Sequence, residues 1–228
     1  MTQGKTVRFG LGFYGWSLSV LLALGAGQAV HAGDGAVPDP LPAEEGKFRN
    51  TYYYMIYEED YPANETRDQA VLDRDGTVLA KVSVRFRKDL LMEGSGKLRD
   101  GRVLNYHGKI DGVARFHETK HPYGRGAGNC ALAPFKTIAV DPNQVPLGSQ
   151  VYIDETRGMV LPDGTVHNGI WYAQDTGGAI LHDRIDIYIG RKKDEMTLVR
   201  AGITHMEGLT LRIVSRPDAS SCAHQSPE

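Results

Sequence analysis

Stretches with apolar residues at every second position recur along most of the chain, separated by glycine-containing turns. The clearest spans residues 184–190 (RIDIYIG), where isoleucines alternate with Asp186 and Tyr188. Successive side chains of a strand point to opposite faces. We therefore expect the isoleucines to face a core and Asp186 and Tyr188 to face the other side of the strand.

The same reasoning predicts many short strands and very little helix. Strands are expected at residues 48–57, 82–86, 102–106, 135–142, 150–153, 169–174 and 208–214, with a hairpin over 70–80 and one short helix over 194–201. This pattern indicates an all-β barrel or sandwich. The simplest account is one barrel domain over 47–214 with a strand extension at its N-terminal end, followed by a tail over 215–228.

Residues 1–32 differ from the rest: Lys5 and Arg8 precede a mostly apolar run that ends at Val30-His31-Ala32. This is the pattern of a cleaved signal peptide; a retained membrane anchor is the alternative. Since no cysteine lies near the expected cleavage site, we expect an exported protein, periplasmic or secreted, and not a lipoprotein. Residues 33–46 are rich in Pro, Gly and acidic residues and predict a disordered lead-in.

Composition and charge narrow the function classes. The chain has 228 residues, of which 41% are hydrophobic, and a formal net charge of −2. This is enough for one domain with a core, and a near-neutral charge without basic runs argues against a nucleic-acid partner. The two cysteines, Cys130 and Cys222, form a disulfide in an oxidising compartment or remain two free thiols.

Two further segments suggest a ligand groove. Four tyrosines fall within residues 52–57, so some of them, with Tyr52 and Tyr53 as candidates, are expected to face a groove that suits sugar rings; an ordinary aromatic strand is the alternative. Gly94-Ser95-Gly96 allows the backbone to approach a ligand closely, whereas flexible linker glycines would be the alternative.

A possible zinc motif is present but is not expected to bind metal. Residues 117–121 read HETKH and match H-E-x-x-H, which requires a helix to place both histidines on one face. Pro122 follows directly, and glycines come soon after. We therefore predict no metal site and no cofactor.

The strongest candidates for chemistry are Asp175, in the turn Asp175-Thr176-Gly177-Gly178, and Asp186 on the strand that follows. We expect the two carboxylates to face one cleft, with Thr176 and Gly177 beside the substrate. In the structural alternative, Asp175 only caps its turn and Asp186 only pairs with Arg184 or a lysine.

These residues resemble a known family. The segments 139–148, 175–180 and 184–190 look like the 3D domain, which is named for three aspartates, here Asp141, Asp175 and Asp186. Residues 92–101 resemble a Gln-Gly-Ser-Gly segment of the related membrane-bound lytic transglycosylase A family. The resemblance covers about residues 51–214.

The resemblance implies a double-psi β-barrel that cleaves peptidoglycan glycan strands between N-acetylmuramic acid and N-acetylglucosamine, forming a 1,6-anhydro ring. By the family pattern Asp186 is the single acid and base, Asp175 assists it, and Asp141 is structural. Three features depart from that pattern: the lipoprotein cysteine is absent, Glu93 stands where Gln is common, and the short segment 105–129 implies that a second domain is mostly missing.

Two other function classes remain open. One is a barrel that binds glycan without cutting it. The other is an inverting hydrolase in which Asp175 activates water, which requires carboxyl groups roughly 6.5–9.5 Å apart.

Overall fold

The structure, a computed structural model, describes residues 45–226. The expected signal peptide (1–32) and nearly all of the expected lead-in (33–46) lie outside the described residues. The first strand begins at Glu45, two residues before the predicted start of the domain.

Short strands dominate residues 45–226, which confirms the prediction of a mainly β protein. The strands are β1 (Glu45–Tyr53), β2 (Ile56–Tyr57), β3 (Gln69–Leu72), β4 (Val78–Val82), β5 (Ser95–Lys97), β6 (Val103–Ile110), β7 (Val113–Thr119), β8 (Thr137–Ala139), β9 (Gln150–Ile153), β10 (Ile170–Asp175), β11 (Arg184–Tyr188) and β12 (Gly208–Ser215). The α-helices are α1 (Val84–Glu93) and α2 (Met196–Arg200).

Six strands form a barrel in the order β1-β11-β8-β10-β9-β12, and β12 pairs back to β1. The pairs β1–β11 and β8–β10 are parallel, and the others are antiparallel. The interior is a cluster of buried apolar side chains that includes Ile138, Val151, Ile153, Trp171, Ile185, Ile187, Leu209 and Leu211. The predicted inward face of the isoleucine strand is therefore confirmed.

A second, four-stranded sheet has the order β2-β5-β6-β7 and a core of its own. Phe86 and Leu90 of α1 pack there with Leu104 and Phe116, and Val71 of the β3–β4 hairpin joins them. The short segment 105–129 had predicted that a second domain is mostly missing. In the structure it contributes to strands β6 and β7 of this sheet.

The prediction of a strand over residues 82–86 is wrong, because helix α1 begins at Val84. The Ser83 hydroxyl accepts a hydrogen bond from the Phe86 N–H at 3.2 Å, which caps the helix. Phe86 and Leu90 lie one turn apart and are both buried. Gly94, with φ of 78°, ends the helix in the left-handed conformation. These capping and spacing signals prevail over the short apolar alternation. The predicted short helix over 194–201 is confirmed by α2 and the 3-10 turn before it.

The H-E-x-x-H match does not form a zinc-protease helix. His117 lies on strand β7, and His121 follows the end of that strand. Within residues 45–226, no three His, Cys, Asp or Glu side chains are grouped to hold a metal ion. The described part of the chain also contains no helix that is both long and apolar enough to span a membrane.

Candidate functional site

A cleft of about 350 Å³ lies between the barrel and the four-stranded sheet. The barrel contributes its base, helix α1 and the second sheet contribute one wall, and two loops complete the rim. The lining residues include Tyr53, Ala139, Asp175 and Asp186 from the barrel, Glu93, Gly94, Ser95, Asn105 and Tyr106 from the wall, and Arg125, Gly126, Thr176 and Gly177 from the loops.

Strand β8 places the two aspartates on either side of one small residue. Asp175 on β10 and Asp186 on β11 are both paired with Ala139 of β8. Two strand spacings put their Cα atoms about 10 Å apart. Ala139, Asp175 and Asp186 all line the cleft, so the two aspartates face one cleft as predicted from the sequence.

Asp186 is a partly buried carboxyl group held by a threonine. Its Oδ1 accepts a hydrogen bond from the Thr51 hydroxyl at 2.7 Å. Arg184 donates to Thr51 Oγ1 and to the Ala179 carbonyl, and not directly to Asp186. Burial raises the pKa of Asp186 to about 6, against the lowering effects of the Thr51 hydrogen bond and the charges of Arg184 and His205. Asp186 therefore retains its proton in mildly acidic solution.

The carboxyl group of Asp175 accepts two hydrogen bonds, one more than is described for Asp186. Its Oδ2 accepts a hydrogen bond from the Tyr53 hydroxyl at 2.7 Å, and its Oδ1 accepts one from the Thr176 N–H at 2.8 Å. Burial raises the pKa of Asp175 to about 6, and the charge of Asp186 adds to this, while the two hydrogen bonds lower it. Asp175 does cap its turn, as the structural alternative predicted, but its carboxyl group also lines the cleft.

Glu93 is a third carboxyl group in the cleft. In the sequence it stood out only as a departure from the family's Gln, and it was not predicted to be a site residue. It is the last residue of α1, and its Oε2 accepts a hydrogen bond from the Tyr54 N–H at 3.2 Å. Burial raises the pKa of Glu93 to about 7, and the charges of Asp186 and Asp89 act in the same direction. The helix boundary at Gly94 was the sequence signal that would have placed it.

Five of the residues predicted to bind substrate line the cleft, and two do not. Tyr53, Gly94, Ser95, Thr176 and Gly177 belong to the lining. Tyr52, the neighbour of Tyr53 on β1, points to the other side, where its hydroxyl donates to Glu195 and its ring packs on the barrel core. Because adjacent residues of a strand face opposite sides, Tyr52 and Tyr53 are not expected to share one groove.

Gly96 is a packing residue rather than part of the cleft. A Cβ at this position would lie 2.8 Å from Leu90 Cδ1 and 3.0 Å from Ile56 Cγ1. Gly96 therefore faces the core of the second sheet, and its placement in the groove was wrong. The glycine is needed because the strand lies directly against helix α1.

Asp141, the remaining aspartate of the three, does not line the cleft. Its Oδ2 accepts from the His182 N–H at 2.8 Å, and its Oδ1 accepts from the Asn143 N–H at 2.9 Å. These hydrogen bonds hold its pKa below the usual range. They join the loop after β8 to the loop before β11, which agrees with the structural assignment.

One rim of the cleft is fixed by a disulfide and by a buried asparagine. Cys130 and Cys222 form a disulfide, which is one of the two states predicted from the sequence. The Asn105 side chain accepts from the Arg125 N–H at 2.8 Å and donates to the Arg125 carbonyl at 2.6 Å. Gly126 packs so closely that a Cβ would lie 2.2 Å from the Gln174 carbonyl oxygen. The loop that carries Arg125 is therefore held at both ends.

Comparison with known families agrees with this geometry. The model of the 3D domain matches residues 136–209, the segment that carries Asp141, Asp175 and Asp186. The match runs from β8 to the start of β12, so the matched segment supplies four barrel strands and both cleft aspartates.

Two solved structures extend the similarity beyond residues 136–209. The crystal structure of E. coli MltA with bound chitohexaose is 18% identical, with a TM-score of 0.50, and the match covers 75% of this chain and 73% of that one. A membrane-bound lytic murein transglycosylase from Agrobacterium tumefaciens is 15% identical, with a TM-score of 0.51 and coverage of 75% and 76%. At these identities the similarity shows a shared fold.

A curated relative is similar over a shorter stretch. The cell wall-binding protein YocH of Bacillus subtilis (strain 168) is 42% identical over 59 residues. These residues are 26% of this chain and 16% of the length of that protein. The similarity to YocH is therefore local.

Proposed function

We propose that this protein is a peptidoglycan lytic transglycosylase in which Asp186 is the catalytic acid and base. The observation that supports this most directly is the position of Asp186, a partly buried carboxyl group at the base of the cleft whose pKa is raised to about 6. The shared fold with lytic transglycosylases supports the same reaction class. In the same proposal, the six-stranded barrel is the double-psi β-barrel that the resemblance implies.

The proposed reaction needs one carboxyl group in two successive roles. Protonated Asp186 donates its proton to the glycosidic oxygen as the bond from that oxygen to C1 of the muramic acid breaks. The sugar's own 6-hydroxyl then attacks C1 and gives its proton to the Asp186 carboxylate. The products are a 1,6-anhydro sugar and a free 4-hydroxyl on the other fragment, and Asp186 is protonated again.

Asp175 has a supporting role in this proposal. When ionised, it places negative charge near the positive charge that develops at C1. The hydrogen bonds from Tyr53 and Thr176 keep that carboxyl group oriented. Thr51 does the same for Asp186, which fixes the direction of proton transfer.

The products of peptidoglycan digestion distinguish the proposed reaction from the alternatives. The exported protein is incubated with purified peptidoglycan and the soluble material is analysed by mass spectrometry. We expect anhydro-muropeptides, and we expect Asp186→Asn to reduce their rate of formation by about 100-fold or more, because a general acid is lost. The matched control is Asp183→Asn, which changes an exposed aspartate that pairs with Arg49 outside the cleft.

The other outcomes identify the alternatives. Products with reducing ends would contradict the transglycosylase and favour the hydrolase that uses Asp175 as a base. Binding to peptidoglycan without release would favour a glycan-binding module, which the local similarity to a cell wall-binding protein supports. The glycan substrate lies outside the cytoplasm, so the proposal includes export, and the Cys130–Cys222 disulfide is compatible with an oxidising compartment.

A further inference from the structure

Glu93 occupies a distinct position in the cleft. It is on the wall formed by α1, whereas Asp175 and Asp186 are on the barrel. The Tyr54 N–H donates to its Oε2 at 3.2 Å, so the direction of the carboxyl group is set by the backbone of the segment that leaves β1. A carboxyl group held in this way at the lining of a cavity is placed to contact whatever fills the cavity.

The surroundings of Glu93 favour its neutral form. Asp186 on β11 and Asp89 on α1 are acidic neighbours, and the last turn of a helix also disfavours negative charge. From the β1 side the facing groups are the tyrosines Tyr52 and Tyr54. The hydrogen bonds from Tyr54 favour the charged form, but burial outweighs them and raises the pKa of Glu93 to about 7.

A neutral carboxyl group has a proton to donate. We propose that Glu93 is a glycan-binding residue that keeps its proton in mildly acidic solution and donates a hydrogen bond to a hydroxyl or acetamide oxygen of the sugar. The inference rests on the proposal that this cleft binds glycan, and it adds a residue and a protonation state to it. Ionised Glu93 presents only acceptors to the sugar, so affinity falls as the proton is lost.

The test compares the wild-type protein with Glu93→Gln, whose amide has nearly the same shape and donates at every pH. The dissociation constant for a hexamer of N-acetylglucosamine is measured by calorimetry at pH 5.5 and pH 8.5. The two proteins should bind about equally at pH 5.5. At pH 8.5 wild type should bind roughly 30-fold more weakly than Glu93→Gln, since only the protonated fraction binds.

Comparison at one pH removes the effects of Asp175 and Asp186, which titrate in both proteins. The control is Glu118→Gln, which changes an exposed glutamate on β7 away from the cleft. Its dissociation constant should equal that of wild type at both pH values. Circular dichroism at both pH values checks that each protein is folded. Equal affinities of wild type and Glu93→Gln at pH 8.5 would overturn the inference about Glu93 and leave the glycan cleft in place. Absence of hexamer binding by the wild type at both pH values would overturn both.

Discussion

At the scale of single residues, the cleft aspartates should reduce the stability of the fold. The pKa of Asp186 is about 6 in the folded protein and near 3.8 in an unfolded chain. Between these values the folded state binds more protons, so wild-type stability falls as pH rises from about 4 to about 6. We expect Asp186→Asn to be more stable than wild type by on the order of 2–3 kcal/mol at pH 8 and about equal to it at pH 4.

Urea unfolding at the two pH values measures this difference. The control has the opposite sign: a hydrogen bond from Arg49 lowers the pKa of Asp183, so Asp183→Asn should not stabilise the protein at pH 8. If Asp186→Asn gave no stabilisation at pH 8, the raised pKa of Asp186 would be wrong, and with it the argument that this residue is protonated when it meets substrate.

The residues that could be predicted from the sequence are those whose positions depend on a local sequence pattern. The position of Asp186 depends on strand alternation alone, and that of Asp175 on a turn motif, so both were available from the sequence. Glu93 required knowledge that a helix ends at Gly94 beside β1. Tyr52 was misplaced because an aromatic cluster on a strand does not reveal which of two adjacent rings faces the cleft.

At the scale of elements, strand β5 should depend on Gly96 for its fit against helix α1. A methyl group there would contact Leu90 and Ile56 side chains at 3.0 Å or less. We expect Gly96→Ala to lower the free energy of unfolding by about 1–3 kcal/mol through overpacking. Gly208→Ala is the matched control, because a Cβ at Gly208 has no neighbour within 4 Å.

The same variant separates packing from ligand binding. If Gly96 belongs to the core, the folded variant should bind the glucosamine hexamer as tightly as wild type while unfolding at lower urea concentration. Normal stability with weakened binding would show instead that Gly96 contributes to the ligand groove. The strand interpretation of residues 82–86 failed for a related reason: Val82 and Val84 favoured a strand locally, and the Ser83 cap and the burial of Phe86 and Leu90 decided for a helix.

At the scale of the whole molecule, the barrel strands were predictable and the arrangement of the second sheet was not. Strands of the 3D domain carry alternation that is readable in isolation. The second sheet depends on the pairing of β2 with β5, whose residues are far apart in sequence, and on helix α1, which packs against it. Its role as a wall of the cleft therefore emerged only from the structure.

The Cys130–Cys222 disulfide links the segment after barrel strand β12 to the loop that forms the cleft rim. The Asn129 N–H also donates to the Cys222 carbonyl at 2.9 Å. Since the bond closes a sequence separation of 92 residues, replacing both cysteines by serine should cost about 2–5 kcal/mol of stability. It should also weaken hexamer binding, because the rim that carries Arg125 loses its covalent attachment.

Reduction provides the internal control for this prediction. Wild type treated with dithiothreitol should match the double serine variant in both unfolding midpoint and affinity, and the variant itself should not respond to the reductant. A variant that lost stability but bound the hexamer like wild type would show that the non-covalent contacts of the rim, including the Asn105 hydrogen bonds, are sufficient to hold it. The disulfide would then stabilise the fold without shaping the cleft, and export would matter for folding rather than for glycan binding.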